Sequence, residues 1–292
     1  MIRLYLTGAK SPYPINKRII RSFNFGGKNV ISTGTMSEVF LQQTGDRSIA
    51  VKTAPLDVPH GSFFIRNEAR ILQILDHPNI PRFYTSWERG RKAFLAMEYF
   101  EGRNVDSIVH SAASAAPRRL RLAEAIFITL QVAEALAYMH GRGIVHVDIK
   151  PQNILYNRPK VKLVDFAFAR PAGGWLDVER NPPETNVFGT NGYLSVDRIA
   201  GKPPREADDI FALGVSLYEM LTGETAIAEN KLTQDMINFG RKVDAYNMPE
   251  PVKKMIFRMT GLARESTATL GNGLQNGREL LNYLKIEIPR II

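Results

Sequence analysis

The chain of 292 residues contains no cysteine. Disulfides, Cys-ligated zinc, iron–sulfur clusters and a thiol nucleophile are therefore excluded. Long apolar runs are scarce too. Those present are short and broken by charges, so no membrane-spanning helix is expected. The opening residues, MIRLYLTGAKSP, lack the apolar core and small-residue cleavage site of a secretory leader, so no signal peptide is expected. Together these absences set the expectation of an intracellular, cytoplasmic protein. Acid is missing from residues 1–28, which carry six basic residues: Arg3, Lys10, Lys17, Arg18, Arg21 and Lys28.

What is present is an ordinary globular composition, 44% hydrophobic and 23% charged, which argues against wholesale disorder. The net charge is +9, and most of the excess lies in the first hundred residues. The remainder is near neutral, so nucleic-acid binding is not expected. Residues 1–27 read as a basic extension, either a solvated strand or tail or a contact for an acidic partner. Arg118, Arg119 and Arg121 form a second, smaller basic cluster, read first as a solvated loop.

Two regions of different character follow the extension. Residues 28–43 and 46–53 are short, β-branched and bounded by turn residues, as are 82–87 and 92–97. Between them, 62–75 places Phe64, Ile65, Ala69, Leu72 and Leu75 at helical spacing, with Ser62 as the expected N-cap and Pro78 beyond the end. After residues 98–102 the pattern becomes helical, with long buried helices expected over 122–140 and 209–222, and a small-residue loop over 111–117. The expected architecture is α+β and bilobal: a small β-rich lobe with one main helix (28–98) joined to a larger, mostly helical lobe (99–292). A cleft between two such lobes is a usual ligand site.

The strongest chemical signal is His146-Val147-Asp148-Ile149-Lys150-Pro151-Gln152-Asn153, with Asp165-Phe166-Ala167 starting twelve positions after Asn153. Ile154-Leu155-Tyr156 and Lys162-Leu163-Val164 read as the strands of an intervening hairpin. Two carboxylates, an amide and a lysine presented together suit phosphoryl transfer. One acid orients the attacking hydroxyl, the amide and second acid hold a metal, and the lysine neutralises phosphoryl charge.

This cluster resembles the catalytic loop and metal motif of the protein kinase family, in its Ser/Thr branch. The resemblance covers the chain from about residue 28 to its end. It implies a bilobal kinase fold, with Asp148 as catalytic base, Lys150 on the γ-phosphate, and Asn153 and Asp165 on magnesium, manganese being the alternative ion. It also implies that Lys52, in Ala50-Val51-Lys52, contacts ATP and pairs with Glu68. Met97-Glu98-Tyr99-Phe100-Glu101-Gly102 resembles the hinge. Adenine would there meet the backbone of Glu98 and Phe100, beside Met97, and lie between Val39, Ala50 and Leu155. Thr190 matches a threonine that ties the activation segment to the base, and Asp209 a residue that holds the catalytic-loop backbone. The implied function is ATP-dependent phosphorylation of protein Ser or Thr hydroxyls. A nucleotide-binding pseudokinase and, more remotely, a small-molecule kinase are the alternatives.

The sequence departs from the family at several points. The three glycine positions of the phosphate loop read Ser32, Gly34 and Ser37, from which weaker ATP binding is expected. Ala167 replaces a glycine, which narrows the conformations open to the loop. Val147 replaces an arginine that binds activation-loop phosphate, so activity is expected not to depend on that switch, and Thr185 has no obvious basic receptor. Asp197 stands for a glutamate that usually pairs with a C-terminal arginine. Thr269 occupies the arginine's place, and Arg264 is the alternative partner.

Overall fold

The computed structural model describes residues 3–4, 23, 29–34, 37–57, 60–110, 118–171, 188–227, 232–262 and 273–291. The small lobe is built on one antiparallel sheet. Its strands are β1 (Arg3–Leu4), β2 (Val30–Thr33), β3 (Glu38–Thr44), β4 (Arg47–Pro55), β5 (Phe83–Arg89) and β6 (Lys92–Glu98), in the order β1-β5-β6-β4-β3-β2. The two-residue alternation of a strand sorts β4 cleanly. Ala50, Lys52 and Ala54 share one face, and Ile49 and Val51 the other. In β6 the same rule separates Leu95 and Met97 from Phe94 and Ala96. Helix α1 (Gly61–Ile74) packs on β4, β5 and β6.

Helix α1 begins one residue before the expected start. Its N-cap is His60, in the left-handed region at φ 61°, and no side chain caps it. Phe64 N donates to His60 O at 3.0 Å, so the helical ladder already starts there and Ser62 falls within the first turn.

The outer face of the sheet carries its own apolar cluster: Phe23, Ile49, Val51, Trp87, Phe94 and Ala96. Trp87 stacks on Phe94, with centroids 5.0 Å apart and planes 5° apart, and Phe23 tilts over Trp87 at 5.8 Å. β1 pairs with β5, Arg3 opposite Glu88 and Leu4 opposite Trp87. Where the basic extension is described, it therefore joins the sheet at Arg3–Leu4 and packs on its outer face at Phe23. The side chains of its six basic residues lie outside the described residues.

The large lobe contains α2 (Val105–Val109), α3 (Leu122–His140), α4 (Val196–Ile199), α5 (Glu206–Thr222), α6 (Leu232–Ala245), α7 (Glu250–Thr260) and α8 (Gly277–Glu287). Short strands β7 (Arg103–Asn104), β9 (Ile154–Asn157) and β10 (Lys160–Leu163) form one sheet, and β8 (Ile144–Val145) and β11 (Arg170–Pro171) another. Helix α3 matches its expected bounds. It is the one described helix long and apolar enough to cross a membrane. Here it is a core helix, with Ile126, Val132, Leu136 and Met139 buried and with α5, α8, β8 and β10 packed around it.

Helix α5 starts at Glu206, three residues before the expected Asp209. The reason is a reciprocal cap: Asp208 Oδ2 accepts from Arg205 N at 2.7 Å, and Asp208 N donates to the Arg205 carbonyl at 2.9 Å. Asp209 is left inside the first turn with its carboxylate available for other donors. Helix α8 approaches α3 so closely that a Cβ on Gly277 would lie 2.4 Å from Ala137 N. The expected loop at 111–117 lies outside the described residues.

Burial of Phe23 at 5% exposure ties the extension to the outer cluster. Phe23→Ala is expected to lower stability by about 3 kcal/mol. Urea unfolding followed by tryptophan emission measures this, and an unchanged midpoint would show that the outer face needs no cover.

Candidate active site

Six of the residues singled out in the sequence, Gly34, Lys52, Glu68, Asp148, Lys150 and Asp165, line one cavity. Lys52 reaches it because the β4 pleat points it inward, 6% exposed. Its Nζ lies 2.7 Å from Glu68 Oε2 on α1 and 2.6 Å from Asp165 Oδ1. Burial alone would lower the Lys52 pKa, but the two carboxylates outweigh it and the ammonium is held more basic than usual. Partial burial works against the charge on Asp165 too, yet Lys52 and the nearby cationic groups bring its carboxyl below the ordinary value. Glu68 is fully buried, and its other oxygen accepts from Phe166 N at 3.1 Å. Removing one member of such a cluster would strand a buried charge, which is far costlier than losing a surface pair.

The catalytic-loop residues form a second connected set. Asp148 is 4% exposed. Its Oδ1 accepts from Thr190 Oγ1 at 2.7 Å, and its Oδ2 lies 2.8 Å from Lys150 Nζ and 2.9 Å from Asn153 Nδ2. Lys150 also donates to Thr190 Oγ1. Asn153 Nδ2 gives its second proton to Asp148 O at 2.8 Å.

The second set rests on Asp209, 1% exposed. It accepts from His146 N and Val147 N, each at 2.8 Å, and is 2.9 Å from His140 Nε2. His140 Nδ1 accepts from Gly277 N at 2.9 Å, which leaves the ring proton on Nε2, facing Asp209. Val147 sits at φ 75°, in the left-handed region that a β-branched residue avoids at a cost of about 1–3 kcal/mol. Two charge-assisted bonds, each contributing about 1.5–3 kcal/mol, are enough to hold it there.

A cavity of about 240 Å³ joins the two sets. Its lining includes Gly34, Lys52, Glu68, Asp148, Lys150 and Asp165. Of the expected adenine contacts, Val39, Ala50 and Met97 lie on β3, β4 and β6, with Ala50 directly opposite Met97. Leu155 lies on β9 opposite Asn104, just past the hinge. Glu98 N is already committed to Arg82 O at 2.9 Å, so the hinge group Glu98 offers is its carbonyl. Phe100 follows in the open stretch between β6 and β7. A larger cavity of about 470 Å³ lies away from all of these, between α5, α7 and residues 273–275.

Some features were not read from the sequence. Lys162, between buried Val161 and Leu163, bonds Glu98 Oε2 at 2.8 Å and Ile80 O at 3.1 Å, bracing the hinge from behind. Asn67 donates to Ala167 O at 3.0 Å and Ala169 O at 2.8 Å. Arg170 and Arg198 are each 1% exposed and flank Phe188. Burial, aided by Arg198, brings the Arg170 pKa down to about 10. The only signal for Asn67 was a polar residue on an otherwise apolar helical face. Asp197 pairs with Lys202 at 2.8 Å and with Arg205. Arg264, Thr269 and Thr185 lie outside the described residues.

His146 is fully buried, and burial lowers its pKa against the opposing pull of Asp209, Asp148 and Asp165. The folded protein thus binds its proton less readily than the unfolded chain does. As pH falls below about 6.5, the unfolded state gains a proton the folded state refuses, and stability drops; above that value His146 contributes nothing. His146→Phe should flatten the fall in melting temperature between about pH 6.5 and 5 relative to wild type. Parallel curves for the two proteins would remove His146 as its source.

The protein kinase domain family matches residues 25–271. Among curated proteins, the chain is 35% identical over 206 residues to the serine/threonine-protein kinase PknB of Mycolicibacterium smegmatis, covering 67% of this chain and 32% of that one. It is 34% identical over 215 residues to the serine/threonine-protein kinase PrkC of Bacillus subtilis, covering 72% and 32%. It is also 33% identical over 183 residues to the serine/threonine-protein kinase dkf-2 of Caenorhabditis briggsae, covering 61% and 14%. The match spans about a third of the length of the two bacterial relatives. By the extent of the family match and the order of its motifs, the chain belongs to the protein kinase domain family.

Proposed function

We propose that the protein is an ATP-dependent Ser/Thr protein kinase. The observation that carries this reading is the joined pair of networks: Lys52 held between Glu68 and Asp165, and Asp148 held by Asn153, Lys150 and Thr190. Decay toward a pure scaffold has no need to keep both intact.

In this reading the Lys52 ammonium, fixed by Glu68, neutralises phosphate charge, and a mobile ammonium would not. Asp148 orients the substrate hydroxyl and accepts its proton. The donors already on both its oxygens set its direction before substrate arrives, so little reorganisation accompanies the transfer. Lys150 lies beside Asp148, where it offsets charge on the moving phosphoryl group. The Ser/Thr side of the assignment rests on Lys150, two positions after the base and joined to Thr190, and on the similarity to serine/threonine-protein kinases.

The donor set fits a hard divalent cation. Asn153 spends both amide protons on Asp148, which leaves its oxygen as the atom available for a metal, and the Asp165 side chain is 41% exposed. Asn153 and Asp165 would hold magnesium, which supplies charge neutralisation at the phosphates when bound. Val39, Ala50, Met97, Leu155 and the hinge at Glu98 and Phe100 would take the adenine ring, and Gly34 the phosphates. Residues 28–292 act as one catalytic unit in this account.

Phosphate transfer from radiolabelled ATP to the protein itself or to a generic basic protein is the test. Asp148→Asn is expected to lower transfer by about a hundredfold or more with the fold intact. Lys52→Met is expected to abolish it while the protein still unfolds cooperatively. Equal, low transfer by wild type and Asp148→Asn, with ATP still bound, would make the protein a scaffold instead.

A further inference from the structure

Lys52 and Asp165 touch directly in this structure, but under the kinase reading neither is spare during catalysis. Lys52 is needed by phosphate and Asp165 by metal, so their ion pair must loosen as nucleotide and metal arrive. Something else must then hold the Asp165 loop against α1.

Asn67 is placed to do so. It sits one residue before Glu68 on α1 and is 2% exposed. Both its amide protons go to the loop, one to Ala167 O and one to Ala169 O. Glu68 takes Phe166 N from the same stretch. Adjacent residues of one helix thus hold three backbone groups of the segment that begins at Asp165. The Asn67 bonds are neutral and involve no group that nucleotide or metal would claim. Asn67 Oδ1 is buried without a partner. An apolar side chain would avoid that orphan, so the site depends on the two protons rather than on polarity as such.

The side chain between the two clamped carbonyls is pinned as well. Phe168 meets Phe64 edge-on at 5.1 Å, and Phe188 meets Phe64 at 5.7 Å. Phe64 lies three residues before Asn67, on the same face of α1. Helix α1 therefore grips the loop by charge, by amide and by aromatic edge.

We propose that Asn67 is a positioning residue for metal use by Asp165: its amide holds the Ala167 and Ala169 carbonyls to α1 while Lys52 and Asp165 separate. This rests on the reading of Asp165 as a metal ligand. The variants are Asn67→Leu, close in shape but with no donor, and Asn67→Ser, smaller with one donor. The first readout is the magnesium concentration giving half-maximal binding of a fluorescent ATP analogue, which needs no turnover. Asn67→Leu is expected to raise that midpoint about tenfold and to lower kcat by a similar factor, with the KM for ATP at saturating magnesium changed less than about twofold. Asn67→Ser is expected to fall between Asn67→Leu and wild type, and it carries the comparison alone if Asn67→Leu does not fold. Loosened packing alone would lower the melting temperature without moving the magnesium midpoint. A folded variant that keeps the wild-type midpoint overturns the proposal. Failure of wild type to transfer phosphate would instead sink the kinase reading, while the magnesium midpoints would still decide the role of Asn67.

Discussion

A single buried carboxylate, Asp209, carries more of this architecture than any other group. It receives two backbone N–H bonds from the loop that presents Asp148, and a third donor from His140 at the end of α3. His140 in turn accepts from the first residue of α8. Three distant parts of the large lobe are thus fixed to the first turn of α5 by one side chain. An aspartate in that first turn also meets the positive end of the helix dipole. Its bonds stabilise the left-handed Val147, and the direction in which Asp148 points follows from that backbone.

The small lobe is organised around a charge of opposite sign. Lys52 is buried because β4 is covered on both faces, and it stays charged because Glu68 and Asp165 surround it. The contrast with Asp209 is one of permanence. Asp209 binds backbone and can keep all its partners through a catalytic cycle. Lys52 binds side chains, and under the kinase reading one of them, Asp165, is also wanted by metal, so that contact belongs to one state of the cleft. The amide of Asn67 belongs with the permanent class although it lies beside the changeable one.

Much of the fold was legible because its signals are local and periodic. Helix α3 has apolar residues on most faces and was found at both ends. The grouping of Asp148, Lys150 and Asn153 was legible because the three lie within six residues, and the structure brings their side chains into contact. What escaped depends on side chains reaching across sequence. The start of α5 is set by Asp208 bonding back to Arg205, which apolar spacing does not register. The start of α1 is set by backbone geometry at His60, without a capping side chain. Asn67 carries no local signal beyond being polar among apolar neighbours, and its bonds reach a loop a hundred residues later. Lys162 was read as part of a hairpin strand, yet its amine lies behind the hinge. The partner of Asp197 was left open between residues far along the chain, while Lys202 and Arg205 stand only a few residues away.

The pairing of β1 with β5 has a consequence for the order of assembly. Arg3 and Leu4 leave the ribosome before their partners Glu88 and Trp87, which follow more than eighty residues later. At a synthesis rate of about 5–20 residues per second, that interval is about 4–17 s. Through it the leading strand has no partner, and closing so long a loop is entropically costly. The last edge of the small-lobe sheet can therefore be sealed only after its central strands exist. Until then the newly made β5 presents an open strand edge, the kind of surface on which nascent chains pair with one another.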